Sequence, residues 1–304
     1  MVGAGADTRV HPLPESTDVL DLLDARPLER DVVARCADPV PLADVRLLAP
    51  VHPTAVRDFL TFEQHVEGMR KSIDGALGVP DQWYEAPVFY FSNPHSVLGP
   101  ADDVPMPPGS TVLDYELEVA AVIGRAGRDL DARQARDHIV AYTIFNDWSA
   151  RDLQKAEMKV GLGPSKGKDT SSTLGPWLVT ADELEPYRDA DGFLDLELTA
   201  EVNGERIGHD RLGHMGWTFE DMTVYASRGT WVRPGDVLGS GTCGNGGCLA
   251  ELWGRHGAQT PPPLQPGDVV ELTVEGIGSL RNTVVPGVSP VAVATARHRL
   301  VDRR

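Results

Sequence analysis

The chain has 304 residues with 41% hydrophobic and 24% charged side chains, which describes a soluble globular protein long enough for one large or two modest domains. A formal charge of −17 excludes non-specific attachment to nucleic acid or to an anionic membrane, so an anionic ligand needs a local positive site. The 31 glycines and 24 prolines favour a turn-rich β fold, and three cysteines (Cys36, Cys243, Cys248) suit neither a disulfide framework nor a structural zinc site.

The opening MVGAGADTRVHPLPES lacks the basic region and apolar block of a secretory signal, and no run approaches the roughly 18 apolar residues of a membrane span. The expectation is a cytoplasmic protein. From Thr17 to about Pro50 the apolar residues of DVLDLLDA and LERDVVARC recur at helical spacing, which predicts a small N-terminal unit over residues 1–50, ahead of a main domain over 51–304. In VHPTAVRDFLTFEQHVEGMRKS, Thr54 reads as an N-cap, with Phe59, Phe62, Val66 and Met69 about one turn apart. A helix throughout would set Asp58 and His65 on one face, about two turns from each other.

After APVFYFSNP and the turn VPMPPGS comes DYELEVAAVIG, beginning at Asp114. In a strand, Asp114, Glu116 and Glu118 point one way, whereas AAVIG has no polar side and must enter an interior covered on both faces. DLELTAEVNG, from Asp195, repeats the Asp-x-Glu alternation but leads into an Asn203-Gly204 hairpin turn, so its carboxylates read as solvated. Burial is the difference, because unpaired ionised groups there cost several kcal/mol each. The five lysines are Lys71, Lys155, Lys159, Lys166 and Lys168, and four of them fall between 155 and 168. Either a lysine pairs with the carboxylates, or the carboxylates hold a divalent cation of the Mg, Mn or Ca type while lysine and Arg151 meet an anionic ligand.

In AYTIFNDWSARDLQ an apolar run ends at Asn146 and Asp147 before a helix start. Beyond Leu178 the signals are short β-runs, and the tetrapeptide PGDV precedes a predicted strand at both Pro234 and Pro266. GSGTCGNGG lacks the Gly-Lys-Ser/Thr ending of a phosphate-binding loop and reads as tight turns lining a pocket around Thr242.

Taken in order, DYELEVAAVIG, TIFNDWSARDLQ, KGKDTSSTLGPWLVT, VRPGDVLGSGT and VEGIGSLRNTV resemble the fumarylacetoacetate hydrolase family over about Leu47 to Val285. RDFLTFEQH, GSGTCGNGG and AELW bring the resemblance nearer to the hydrolase proper than to the smaller acylpyruvases. It implies an α+β, mainly β fold, a mixed β-roll domain behind the small N-terminal unit, and a homodimer. Glu116, Glu118 and Asp147, with Asp58 as a fourth, are implied as ligands of a divalent metal, Mg2+ foremost with Mn2+ or Ca2+ as alternatives. Asp114 has no such role and is expected to be solvated or hydrogen-bonded. His65 matches the general base and Glu251 the acid that orients it. Arg151, Gln154 and Lys168 match residues that hold substrate and stabilise an oxyanion, and Tyr90 and Thr242 match substrate contacts. Leu60 and Asn93 depart from the family's pattern, where relatives carry a tyrosine and a lysine.

The implied chemistry is hydrolysis of a carbon-carbon bond in an anionic keto acid of the 1,3-diketone or acylpyruvate type, with His65-activated water and a metal-bound enolate. Two alternatives stand beside it. The same platform serves decarboxylases, isomerases and hydratases of 2-oxo acids, and a non-catalytic metal-binding descendant would keep the fold alone.

Overall fold

The computed structural model describes residues 8–14, 17, 19–20, 36–73 and 75–297. The helices expected over DVLDLLDA and LERDVVARC fall almost wholly outside the described residues. Around them, Arg9–Val10 pairs antiparallel with Val40–Pro41, and Leu20 and Ala49 pack on a buried cluster of the main body.

The main body opens with β1 (Val56–Phe59), α1 (Glu63–Ile73), β2 (Phe89–Ser92), β3 (Val97–Leu98) and β4 (Val104–Pro105). Then come β5 (Leu117–Ile123), α2 (Ala132–His138), β6 (Ile139–Asp147), α3 (Arg151–Met158) and β7 (Ser172–Thr180). The rest comprises β8 (Glu197–Val202), β9 (Glu205–Arg211), α4 (Phe219–Ser227), β10 (Val237–Gly239), α5 (Leu249–His256), β11 (Val269–Val274) and β12 (Gly278–Val285).

Two mixed sheets result, with orders β2-β1-β10-β5-β6-β7-β3 and β9-β8-β11-β12-β4. They curl against each other through β7 on β12 and β6 on β11, giving the mainly β, α+β architecture expected. The central strand β5 is buried along its whole length. Val119, Ala121 and Ile123 enter one apolar cluster while Ala120 and Val122 enter another, so the run AAVI is apolar on both sides because it is covered on both sides.

Turn chemistry places the strands. Asn203 and Gly204 adopt left-handed backbone (φ 55° and 79°) and close the β8–β9 hairpin, whose Asp195 and Glu197 side chains are about half exposed, as expected. Both PGDV segments run into strands, β10 and β11, with Gly235 and Gly267 at positive φ.

One expectation is overturned. Thr54 caps no helix; its Oγ1 donates to Asp236 Oδ1 at 2.7 Å, and residues 56–59 form a strand whose four residues are all buried. Phe59 belongs to that strand, and only Phe62, Val66 and Met69 follow the helical period. A β-branched residue and an aromatic flanking Arg57-Asp58 suit a strand between two neighbours, and the tertiary pairing of β1 with β10 and β2 overrides the local pattern.

Candidate active site

The register brings the carboxylates together. Asp58 on β1 stands opposite Tyr90 on β2 and Gly239 on β10, and β10 in turn pairs with β5, which carries Glu118. Gly239 is required there, because a Cβ would lie 2.9 Å from both Asp58 Oδ1 and Glu118 Oε2. Oxygens of Asp58, Glu116 and Glu118 lie within 4.8 Å of one another. Glu118 is held by the backbone, Gly241 N donating to Oε2 at 3.0 Å and Thr242 Oγ1 to Oε1 at 3.4 Å. Gly241 takes φ 79°, and a Cβ there would strike Phe59 O at 2.3 Å, so the glycine-rich turn follows the cluster closely. Asp147 ends β6, beside Asn146, whose Oδ1 accepts from Glu116 N at 2.9 Å.

Two cations enter this acidic interior. Lys168 Nζ donates to Asp147 Oδ2 at 2.6 Å and to Glu116. Arg151, the first residue of α3, lies 2.7 Å from both Glu116 Oε1 and Asp114 Oδ2, and its Nη1 donates to Gln154 Oε1 at 3.1 Å. Asp114 is fully buried and also accepts from Leu249 N and Ala250 N at 2.8 and 3.0 Å. Of the two states expected of it, solvated or hydrogen-bonded, it takes the second, and it joins Arg151 to the start of α5.

Carboxyl groups outnumber cations: Asp58, Asp114, Glu116, Glu118 and Asp147 are buried with Arg151 and Lys168. Burial opposes ionisation of Glu116, but Lys168 and Arg151 outweigh it and hold its carboxyl at about 2. Asp58 goes the other way: burial first, and then the charge of Asp147, push it up to about 8. Burial and then Asp58 drive Glu118 well above the carboxylate range. Tyr90 Oη contacts Asp58 Oδ2 at 2.6 Å and also Asp147, yet a phenol has one proton to give, so one contact requires a proton on a carboxyl. Tyr90 thus holds carboxylates, beyond the substrate contact expected of it.

His65 lies on α1, and burial holds its imidazole low, at about 3, so the ring is neutral. Its Nδ1 faces Cys248 Sγ at 3.8 Å. Glu251, on α5, accepts from Asn245 N at 3.0 Å and Gly246 N at 3.4 Å and pairs with Arg255, and no hydrogen bond joins it to His65 among the described residues. The two helices meet at Gly68 and Gly254: a Cβ on Gly254 would lie 2.1 Å from Gly68 O, and one on Gly68 would strike Glu251 Cγ at 2.5 Å. That approach delivers Cys248 to His65.

A cavity of about 340 Å³ is lined by Asp58, His65, Tyr90, Glu116, Glu118, Arg151, Gln154, Lys168 and Thr242, with Leu60, Phe89 and Met158 as apolar walls. Asp147 and Glu251 stand outside that lining and act through Lys168 and the 245–246 turn. Of the two departures, Leu60 faces the cavity, while Asn93 spends its amide on Ser96 Oγ and Asp169 O in the loop after β2. Sequence reasoning missed Gly239 and Cys248; the GSG run was the available signal for the first, and nothing local marks the second.

The cluster fits a hard divalent cation. Its donors are all oxygen, Asp58 Oδ1 and Asp147 Oδ1 are buried with no hydrogen-bond partner, and the carboxyl groups outnumber the two cations. Asp58, Glu116 and Glu118, whose oxygens converge, are the residues that would hold it, with Asp147 adjoining them through Lys168 and Tyr90.

Residues 54–285 match the family model described as fumarylacetoacetate (FAA) hydrolase C-terminal. The chain belongs to the fumarylacetoacetate hydrolase family, which includes hydrolases and isomerases. It is 35% identical to Protein Rv2993c of Mycobacterium tuberculosis over 81% of this chain and 80% of that one. Among solved structures it is similar to a fumarylacetoacetate hydrolase from Exiguobacterium antarcticum (31% identity, TM-score 0.68, 89% and 88% of the two chains). It is also similar to a 5-carboxymethyl-2-hydroxymuconate delta-isomerase from Mycobacterium smegmatis (29%, TM-score 0.67, 94% and 93%). Hydrolase and isomerase match to a similar degree, so overall likeness does not separate the two activities.

Proposed function

We propose that this protein is a divalent-metal-dependent hydrolase that cleaves a carbon-carbon bond in an acylpyruvate or related 1,3-diketone acid. The observation that carries this reading is that a neutral histidine and a buried lysine open onto one cavity with the carboxylate cluster. The carboxylate cluster would hold the cation, most simply Mg2+, which when bound would supply Lewis-acid chemistry to the cavity. His65 is unprotonated and able to take a proton from water positioned in the cavity. Lys168 and Arg151 supply positive charge where an oxyanion would develop, and Gln154, bonded to Arg151, adds a polar group to the cavity lining. Leu60 and Phe89 favour an apolar stretch on the acyl group. The reading brings with it a cytoplasmic homodimer, which light scattering on the purified protein tests.

A second reading, isomerase or tautomerase of a 2-oxo acid, is favoured by one observation: Glu251 does not engage His65, so the base lacks the orienting carboxylate that water activation uses. One experiment separates the two. The protein is incubated with Mg2+ and a panel of acylpyruvates, including fumarylpyruvate and fumarylacetoacetate, beside oxaloacetate, following the enol absorbance and the acids released. Hydrolysis lost by about 10²-fold or more in His65→Ala supports the first reading. Enol–keto conversion without released acids, spared in His65→Ala, replaces it with the second.

A further inference from the structure

Next to the oxygen cluster lies a second set of donors of different chemical character. His65, Glu116 and Cys248 are each 3% exposed or less, and one ligand atom from each lies within 4.8 Å of the others. The three come from α1, the residue just ahead of β5 and the residue just ahead of α5, so only the tertiary fold unites them. A tetrahedral zinc-type ion bonded to nitrogen at about 2.0 Å and sulfur at about 2.3 Å holds these atoms about 3.5 Å apart. His65 Nδ1 and Cys248 Sγ stand at 3.8 Å, close to that spacing before any adjustment. Glu116 spends its oxygens on Arg151 and Lys168, yet each carboxylate oxygen has a further lone pair. Asp114 and Asp147 also pair with those two cations, at 2.7 and 2.6 Å, and offset part of their repulsion.

We propose that His65, Cys248 and Glu116 form a soft metal site that captures a thiophilic divalent cation of the zinc class and, by occupying His65, silences the enzyme. The thiol proton passes to solvent as the sulfur–metal bond forms, and no electron is exchanged. The softness of sulfur and imidazole distinguishes this site from the oxygen cluster, with which it shares Glu116 and which suits Mg2+. Metal capture stands independently of the hydrolase reading; the silencing rests on it.

The test begins with chelator-treated full-length protein in excess Mg2+, titrated with Co2+, whose thiolate complexes show a near-ultraviolet charge-transfer absorption. The expected result is a band that saturates at a single equivalent, persists in Cys243→Ser and disappears in Cys248→Ser. Serine retains the cap that Cys248 gives Glu251 N at 3.4 Å, so this variant should fold. No band in the natural protein, or a band surviving Cys248→Ser, overturns the site. Zn2+ is then added to turnover assays, where Cys248→Ser should raise the concentration for half-inhibition by about tenfold or more. Equal zinc inhibition in both proteins overturns the silencing. If the band forms while no acylpyruvate is cleaved, the soft site stands and the hydrolase reading fails.

Discussion

Lys168 Nζ lies 2.6 Å from Asp147 Oδ2, an ion pair in which both side chains are almost wholly buried. Lys168 also reaches Glu116, so one ammonium bridges two carboxylates of the buried cluster. Lys168→Met leaves their charge uncompensated and should destabilise the metal-free protein by about 3–5 kcal/mol. Mg2+ should restore part of the loss, while turnover stays depressed by about 10²–10³-fold because the oxyanion partner is gone. Urea unfolding with chelator and with Mg2+ measures the first effect; equal stability of the variant and the natural protein in chelator would refute it.

Gly239 sits flat between Asp58 and Glu118, and its missing Cβ leaves the oxygens room. Gly239→Ala should weaken Mg2+ binding by about 10–100-fold, as displaced supporting groups do at metal sites. Calorimetric titration reads this directly. Unchanged affinity in a folded Gly239→Ala protein would mean that the cluster is not where the cation binds.

Glu251 carries a pH dependence. Burial, partly countered by Arg255, raises its carboxyl from 4.5 to about 7. A carboxyl raised in the folded state keeps a proton that the unfolded chain has lost. Its contribution is therefore full below pH 4.5 and is lost as pH rises to about 7, amounting to about 3 kcal/mol. His65 acts in the opposite direction, because its lowered value costs stability as pH falls from 6.5 towards 3. Glu251→Gln removes only the first slope. Because the two slopes oppose each other in the natural protein, the variant should gain more unfolding free energy in chelator between about pH 5 and about pH 7.5 than the natural protein does; identical changes would contradict the assignment.

Asp114 ties Arg151 to the first turn of α5 through four contacts. Asp114→Ala should cost about 3–5 kcal/mol of stability, since it strands a buried guanidinium. Because Asp114 holds no ligand position, the folded fraction of the variant should bind Mg2+ with the affinity of the natural protein. A tenfold loss of affinity there would place Asp114 in the metal site.

Much of the site was legible from residue order. DYELEVAAVIG announced carboxylates at the mouth of a buried strand, and the clustering of lysines near 155–168 pointed to the counter-charge that Lys168 supplies. The single helix drawn through Asp58 and His65 was not, because four residues of VRDF carry too little periodic signal to reveal that β10 and β2 claim them. Nor could spacing show that Glu251 turns to the 245–246 backbone while Cys248 meets His65. That choice depends on how closely α1 and α5 approach at Gly68 and Gly254.

The amino-acid order by itself determined the mainly β character, the doubly buried central strand, the hairpin turns and the acidic surplus, because each follows from side-chain period, turn propensity or charge along a few consecutive residues. The tertiary structure alone decided which carboxylates face one another, which cations neutralise them and which sulfur reaches the histidine. Those relationships join residues from 21 to 183 positions apart, and only the pairing of strands and the crossing of two helices sets their distances.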